Sequence, residues 1–195
     1  MKMQVIRLSG DEIQRYIPDL AALRIKIFHD YPYLYEGDLE YEKKYLQTYT
    51  RCPYSVLVLA LDDSKVVGAS TAIPLQYETE EIRNPFLVAN MNVDRIFYFG
   101  ESVLLHAYRG QKIGERFFAE RESAAREQGY SVAAFCAVER PADHPRKSED
   151  WHPLDAFWTR LGYVKHPELT TAFSWKEIGE EKETLKPMTF WIKHL

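Results

Sequence analysis

Arg109-Gly110-Gln111-Lys112-Ile113-Gly114 puts two cations and two glycines where the hydrophobic period of the chain changes. Upstream, Phe97 to Leu105 reads as a strand. Downstream, Ile113, Phe117 and Ala124 recur at helical spacing. A helix that begins in such a turn presents N–H groups with no partner inside the helix, and its dipole favours negative charge there. Glycine at 110 and 114 lets a phosphate reach the main chain without a Cβ in the way. The chemistry expected is a pyrophosphate gripped by backbone. Neither G-x-G-x-x-G nor G-x-x-x-x-G-K-[ST] is present, and an ordinary strand-to-helix turn with solvated Arg109 and Lys112 fits the loop alone equally well.

Glu101 is the second candidate, a carboxylate in an otherwise apolar strand, where acids are unusual. A carboxylate removed from water has a raised pKa and suits proton abstraction near neutrality. The competing reading is a charge turned outward, by strand parity or by a bulge at Gly100, and parity cannot decide between them. Tyr31, Tyr33 and Tyr35 alternate in one loop, as anchors or as a lining. His144 and His152 share the loop 139–152 with acids but lack metal-ligand spacing, so no metal site is expected. Cys52 and Cys136 imply no disulfide framework, and Cys136 reads as a packed core thiol.

The elements that must position these residues read in order. A strand over 4–8 precedes a helix carrying Ile13, Ile17, Leu20, Leu23 and Ile27. Ser9 and Glu12 form a plausible capping box, and Pro18 predicts a kink or restart. A helix over about 39–49 leads to two strands, 54–61 and 65–73, around Asp62-Asp63-Ser64, a hairpin signal. Residues 78–92 are polar and read as helix or loop. The strand 95–105 feeds the turn, a helix runs from about 111 to Gly129, and the apolar run 130–138 reads as a strand buried on both faces. After the long connection, Pro153 opens a short helix. Two strands follow, near 170–176 and 188–193. The order β-α-α-β-β-β-α-β-α-β-β predicts an α/β fold, a mixed sheet with helices on both faces.

At 195 residues the chain fits one domain, 1–195, with a proper core. A net charge of −4 with dispersed Lys and Arg argues against nucleic acid or an anionic membrane as partner. The N-terminus does not read as a signal peptide, and no apolar run approaches the ~20 residues of a membrane span. A reduced, cytoplasmic protein is expected.

The turn resembles the coenzyme A loop of the GNAT acyltransferase superfamily, [RQ]-x-x-G-x-[GA], with Arg109 first, Gly114 last and Lys112 in place of the middle glycine. Phe157-Trp158-Thr159-Arg160-Leu161-Gly162-Tyr163 is similar to the same family's F-Y-x-x-L-G-F. The resemblance covers roughly residues 4–175. It implies a central sheet whose fourth and fifth strands splay apart around acyl-CoA. Backbone of Val103 and Leu104 would then pair with pantetheine, and amides from Gly110 through Gln111, Lys112 and Ile113 to Gly114 and Glu115 would hold the pyrophosphate. It further implies N-acetyl transfer from acetyl-CoA, without metal, to a primary amine of a small molecule. Glu101 would be base, and the chain could pair as a homodimer. A lysine at position 112 would cost about 1 kcal/mol if φ is positive there, offset by its charge near phosphate. Trp158 stands where many relatives carry an acidic tyrosine and cannot donate a proton. It reads as core or as a tunnel wall, and that departure keeps a non-catalytic acyl-CoA sensor or scaffold as the alternative.

Overall fold

The computed structural model describes residues 3–195. The strands are β1 (Met3–Ser9), β2 (Val56–Asp62), β3 (Lys65–Pro74), β4 (Ile96–Leu104), β5 (Val132–Val138), β6 (Val164–Trp175) and β7 (Thr184–His194). The helices are α1 (Ile17–Phe28), α2 (Leu39–Arg51), α3 (Glu80–Val88), α4 (Ile113–Glu127) and α5 (Asp155–Arg160). The strands form one sheet in the order β1-β2-β3-β4-β5-β7-β6, antiparallel except for the pair β4–β5.

Both faces of the sheet are covered, as the unbroken apolar runs of β2 and β5 require. On one face α1, α2 and α3 bury Leu20, Leu46, Tyr49 and Phe86 against Leu57, Ile73, Tyr98 and Phe190. On the other, α4 and α5 bring Ile113, Phe117, Phe118, Phe157 and Trp158 to Phe97, Phe99, Phe135 and Trp191.

Several local expectations are corrected. Gly10–Tyr16 is a 3-10 segment, and Ser9 makes no side-chain cap. Gly10, at φ 56, turns the chain out of the capping geometry, and the α-helix restarts at Ile17 with Pro18 in its first turn, where its missing N–H costs nothing. Asp38 supplies a cap instead, accepting the Tyr41 amide at 2.8 Å to open α2. The ambiguous polar stretch contains α3, whose Ile82 and Phe86 supply the buried face. β6 and β7 are longer than their apolar residues suggest, because β6 is a sheet edge and β6 breaks register between His166 and Thr170, around Pro167.

Two irregularities in β4 position everything that follows. First, β4 pairs with β5 only at Ile96–Val132, Phe97–Ala133 and Tyr98–Ala134, although the strands run on to Leu104 and Val138. The cleft between them is open from there. Second, Ser102 faces Ser70 and Phe99 faces Ala72, so Gly100 and Glu101 together oppose Thr71. This β-bulge reverses side-chain parity, leaving Tyr98 and Val103 on the same face although they are an odd number of residues apart.

Candidate active site

The turn between β4 and α4 has the form that its sequence predicts. His106–Tyr108 make a 3-10 turn, Gly110 adopts φ 76, and α4 begins at Ile113, two residues later than the pattern suggests. Buried Ile113 and Phe117 fix the helix start against the sheet. Lys112 precedes the helix at φ 60, ψ 14, the left-handed conformation that disfavours a side chain. Among the described residues, no backbone amide from Gly110 to Glu115 donates a hydrogen bond to another protein group. These N–H groups are free for an anion. The two glycines differ in kind. Gly110 is needed for its φ, whereas a Cβ on Gly114 would merely touch the Phe157 ring at 3.5 Å. Gly114 therefore lies where the two family-like motifs meet. Arg109 stands by Asp30, burial lowering its pKa and Asp30 opposing that, and Asp30 also meets His106 Nε2 at 2.9 Å.

Leu105 donates to Val67 O at 3.0 Å, which fixes the sense of the β4 backbone. Peptide groups alternate along a strand, so those of Val103 also point at β3, and those of Ser102 and Leu104 point at the open cleft. Backbone of Leu104 and Ser102 thus faces the cleft, and backbone of Val103 faces β3. The bulge sets this phase, and no residue pattern reveals which alternate peptides it frees.

The same bulge turns Glu101 inward toward α1 and α2, where it is 5% exposed. The outward reading fails because the extra residue moves its side chain to the opposite face. There Arg24 bridges Glu101 and Glu42, its guanidinium lying 5.0 Å from the Phe28 ring centroid and 4.8 Å from that of Tyr45. Burial pushes the Glu101 pKa up, and Arg24 and the Thr71 hydroxyl pull it back. Burial would lower that of Arg24, but the two carboxylates more than offset it. Among the described residues no geometric hydrogen bond reaches the buried Glu101 Oε1, while Arg24 holds Oε2.

Arg121, which sequence reasoning missed, locks the bulge from the other face. It is 1% exposed and donates to Phe117 O at 3.1 Å, Thr71 O at 3.2 Å, Glu101 O at 3.4 Å and Ser102 Oγ at 2.9 Å. Burial pulls its pKa down to about 10, and the rings of Phe99 and Phe118 sandwich the cation at 4.3 and 4.7 Å. Its guanidinium serves the carbonyls that the bulge removes from the ladder.

The three alternating tyrosines part company. Tyr31 packs on His144 and Trp151 of the 139–152 connection, with ring centroids 5.3 and 4.9 Å apart. Tyr33 stacks by Phe28 and Trp175, and its phenol, pushed upward by burial, feels Cys136, Arg24, Glu101 and Arg140. Arg140 holds this loop, donating to Pro32 O at 2.7 Å and Tyr33 O at 3.2 Å and pairing with Glu177. Tyr35 pairs with Glu177 and lines a cavity of about 310 Å³ with Tyr41, Trp175, Asp38, Lys182 and Glu183. At the base of the cleft Tyr98 Oη and Cys136 Sγ are 3.1 Å apart, and burial pushes the thiol up to about 12. Trp158 is partly buried against the α4 face, 5.0 Å from Phe135 and 5.1 Å from Trp191.

No family model and no curated protein matches the sequence. Solved structures do match over nearly the whole chain. A ribosomal-protein-alanine N-acetyltransferase from Brucella melitensis superposes with TM-score 0.63 at 17% identity, covering 97% of this chain and 99% of that one. YncA of Salmonella typhimurium, assigned as an acetyltransferase and solved with its cofactor acetyl-CoA, gives 0.61 at 10% identity over 100% and 95%. A protein from Desulfovibrio desulfuricans, assigned to the acetyltransferases of the GNAT family, gives 0.59 at 10% over 99% of both. The chain has the fold of the GNAT acetyltransferases.

Proposed function

We propose that the chain transfers an acetyl or short acyl group from acyl-CoA to a primary amine of a small molecule. The observation that carries this reading is the parting of β4 from β5 directly ahead of a turn with unspent amides. The β4 edge at Ser102 and Leu104 offers strand-like pairing to the pantetheine amides. The turn from Gly110 to Glu115, with the Lys112 ammonium beside it, fits a pyrophosphate. Acetyl-CoA supplies an activated thioester.

This chain's own residues must then manage the protons. The attacking amine has to be deprotonated, and Glu101 Oε1, on the strand that borders the cleft, is a buried carboxylate oxygen without a hydrogen-bond partner among the described residues. Arg24 holds the other oxygen and fixes the side chain. Trp158 carries no acidic proton, and Tyr33, whose phenol feels Cys136 of β5 and Glu101 of β4, is the donor we assign to the leaving thiolate. The cavity beside Tyr35 joins aromatic walls to the acids Glu36, Asp38 and Glu183 and to the cations Lys176 and Lys182, a lining of mixed charge for a polar acceptor.

Thiol release from acetyl-CoA across a panel of primary amines tests the reading. The wild type releases thiol with at least one amine. Glu101→Gln keeps coenzyme A affinity and loses roughly 10²–10⁴-fold in turnover. A protein that binds acetyl-CoA and releases no thiol with any amine is the sensor or scaffold instead.

A further inference from the structure

α2 carries an acid on its buried face. Glu42, Tyr45, Leu46 and Tyr49 recur at helical spacing, and Glu42 is buried as deeply as the apolar residues beside it, 1% exposed. Its Oε2 accepts Arg24 Nε, and Glu101 Oε2 accepts Arg24 Nη1, so one guanidinium from α1 ties α2 to β4. That guanidinium lies against the rings of Phe28 and Tyr45. An Arg24–Glu101 pair would be neutral by itself. Glu42 adds a second carboxylate, and burying a charge beyond what the cation balances costs stability. The first turn of α2 lessens the cost, because the helix dipole favours an anion there. A surplus buried charge one guanidinium away from a carboxylate on the cleft strand points to chemistry rather than to packing.

The geometry gives Glu42 its task. A guanidinium facing a lone carboxylate tends to take both oxygens in a bidentate fork. With Nε spent on Glu42, Arg24 reaches Glu101 through Nη1, and among the described residues no hydrogen bond reaches Glu101 Oε1. We propose that Glu42 is a positioning residue for acyl transfer, holding Arg24 so that it grips one oxygen of Glu101 and leaves the other to the acceptor amine. This role rests on the acyl-transfer reading above, and Glu42 acts only through Arg24. Its charge works in the same direction as its hydrogen bond. Burial pushes the Glu101 pKa up, Arg24 and the Thr71 hydroxyl of β3 pull it back, and Glu42 raises it again. The other groups that feel Glu101 are Tyr45 and Tyr49 of α2, Tyr33 of the loop before α2, Arg121 of α4 and Glu78, a carboxyl 4% exposed beyond the end of β3. Glu42 itself is felt by Tyr35 and Tyr41.

The test is a carbon-detected NMR titration of the Glu101 carboxyl, assigned by its loss in Glu101→Gln, beside the pH–rate profile of thiol release. Two substitutions separate charge from geometry. Glu42→Gln keeps an acceptor for Arg24 Nε and removes the charge, whereas Glu42→Met removes both. In Glu42→Gln the Glu101 midpoint falls, because a like charge is gone, and the acidic limb of the profile moves to lower pH with it. In Glu42→Met the fork closes on Glu101, the midpoint falls further, and turnover drops roughly tenfold or more with acetyl-CoA affinity kept. Turnover falls less in Glu42→Gln than in Glu42→Met. Arg24→Lys keeps the cation but cannot span both carboxylates with one rigid fork, so it also loses turnover and decides the matter should Glu42→Met fail to fold. A Glu101 midpoint indifferent to both Glu42 substitutions, or wild-type turnover in Glu42→Met or Arg24→Lys, overturns the proposal. Midpoints that shift as stated in a protein that releases no thiol with any amine sink the acyl-transfer reading instead, and leave Glu42 as the residue that sets the state of Glu101.

Discussion

Glu78 and Glu101 are buried alike but supported differently, and the difference has a measurable sign. Glu101 is paired with Arg24, whereas among the described residues Glu78 accepts hydrogen bonds only from neutral donors. Burial raises it from 4.5 to about 7 against the weaker pull of Thr79, Tyr49 and the more distant Arg24. Between those values the folded protein binds more protons at Glu78 than the unfolded chain does, so its contribution to stability is lost as pH rises through that window. The loss is roughly 3 kcal/mol. Glu78→Gln removes it, so the variant gains on the wild type above pH 7 and not below 4.5, as paired denaturant midpoints will show. Parallel pH dependence in the two proteins would contradict the assignment. Trp158→Phe keeps a pH–rate profile of unchanged shape, because its ring packs on Phe135 and Trp191 and carries no titrating group. Glu101 and Lys112 were legible in the sequence because a carboxylate in an apolar strand and a side chain in a glycine position break local rules. Glu78 was not, since it opens a polar stretch that hides a buried side chain. Arg121 was not either, since an arginine among the charges of a helix reads as solvated until a bulge opposite needs its donors.

At the scale of elements, the bulge in β4 and the start of α4 do the positioning. Arg121 satisfies Thr71 O and Glu101 O, which the bulge leaves outside the ladder. Arg121→Met strands these acceptors in the core and destabilises the fold by about 2–3 kcal/mol. It also weakens acetyl-CoA binding, because the Ser102–Leu104 edge shifts with the bulge. Wild-type stability and affinity in this variant would show that the bulge holds itself. Lys112 tests the other element. Glycine relieves the left-handed strain at φ 60, so Lys112→Gly unfolds about 1 kcal/mol harder without ligand yet binds coenzyme A more weakly for want of the ammonium. Loss of stability together with tighter binding would refute both halves. Helices and strands with clear periods were readable, but the face on which Glu101 falls was not. That face depends on one extra residue opposite Thr71, and a period-two pattern carries no mark of it.

One sheet runs through the described chain, and its two halves part between β4 and β5. The order of elements predicted a mixed sheet with helices on both faces. The split itself came from the resemblance carried by the turn and the α5 motif, which meet at Gly114 and Phe157. The central claim is that acyl-CoA occupies this split with its pyrophosphate on the turn. The measurement that tests it most directly is titration of the wild type with acetyl-CoA, followed by calorimetry and by melting, beside Gly114→Trp. Saturable binding is predicted, with about 2.7 kcal/mol of added stability at roughly 100 times the dissociation constant. The tryptophan, built against Phe157 over the free amides, abolishes both effects. A wild type that neither binds nor shifts, or a Gly114→Trp variant that does both equally well, would contradict the account.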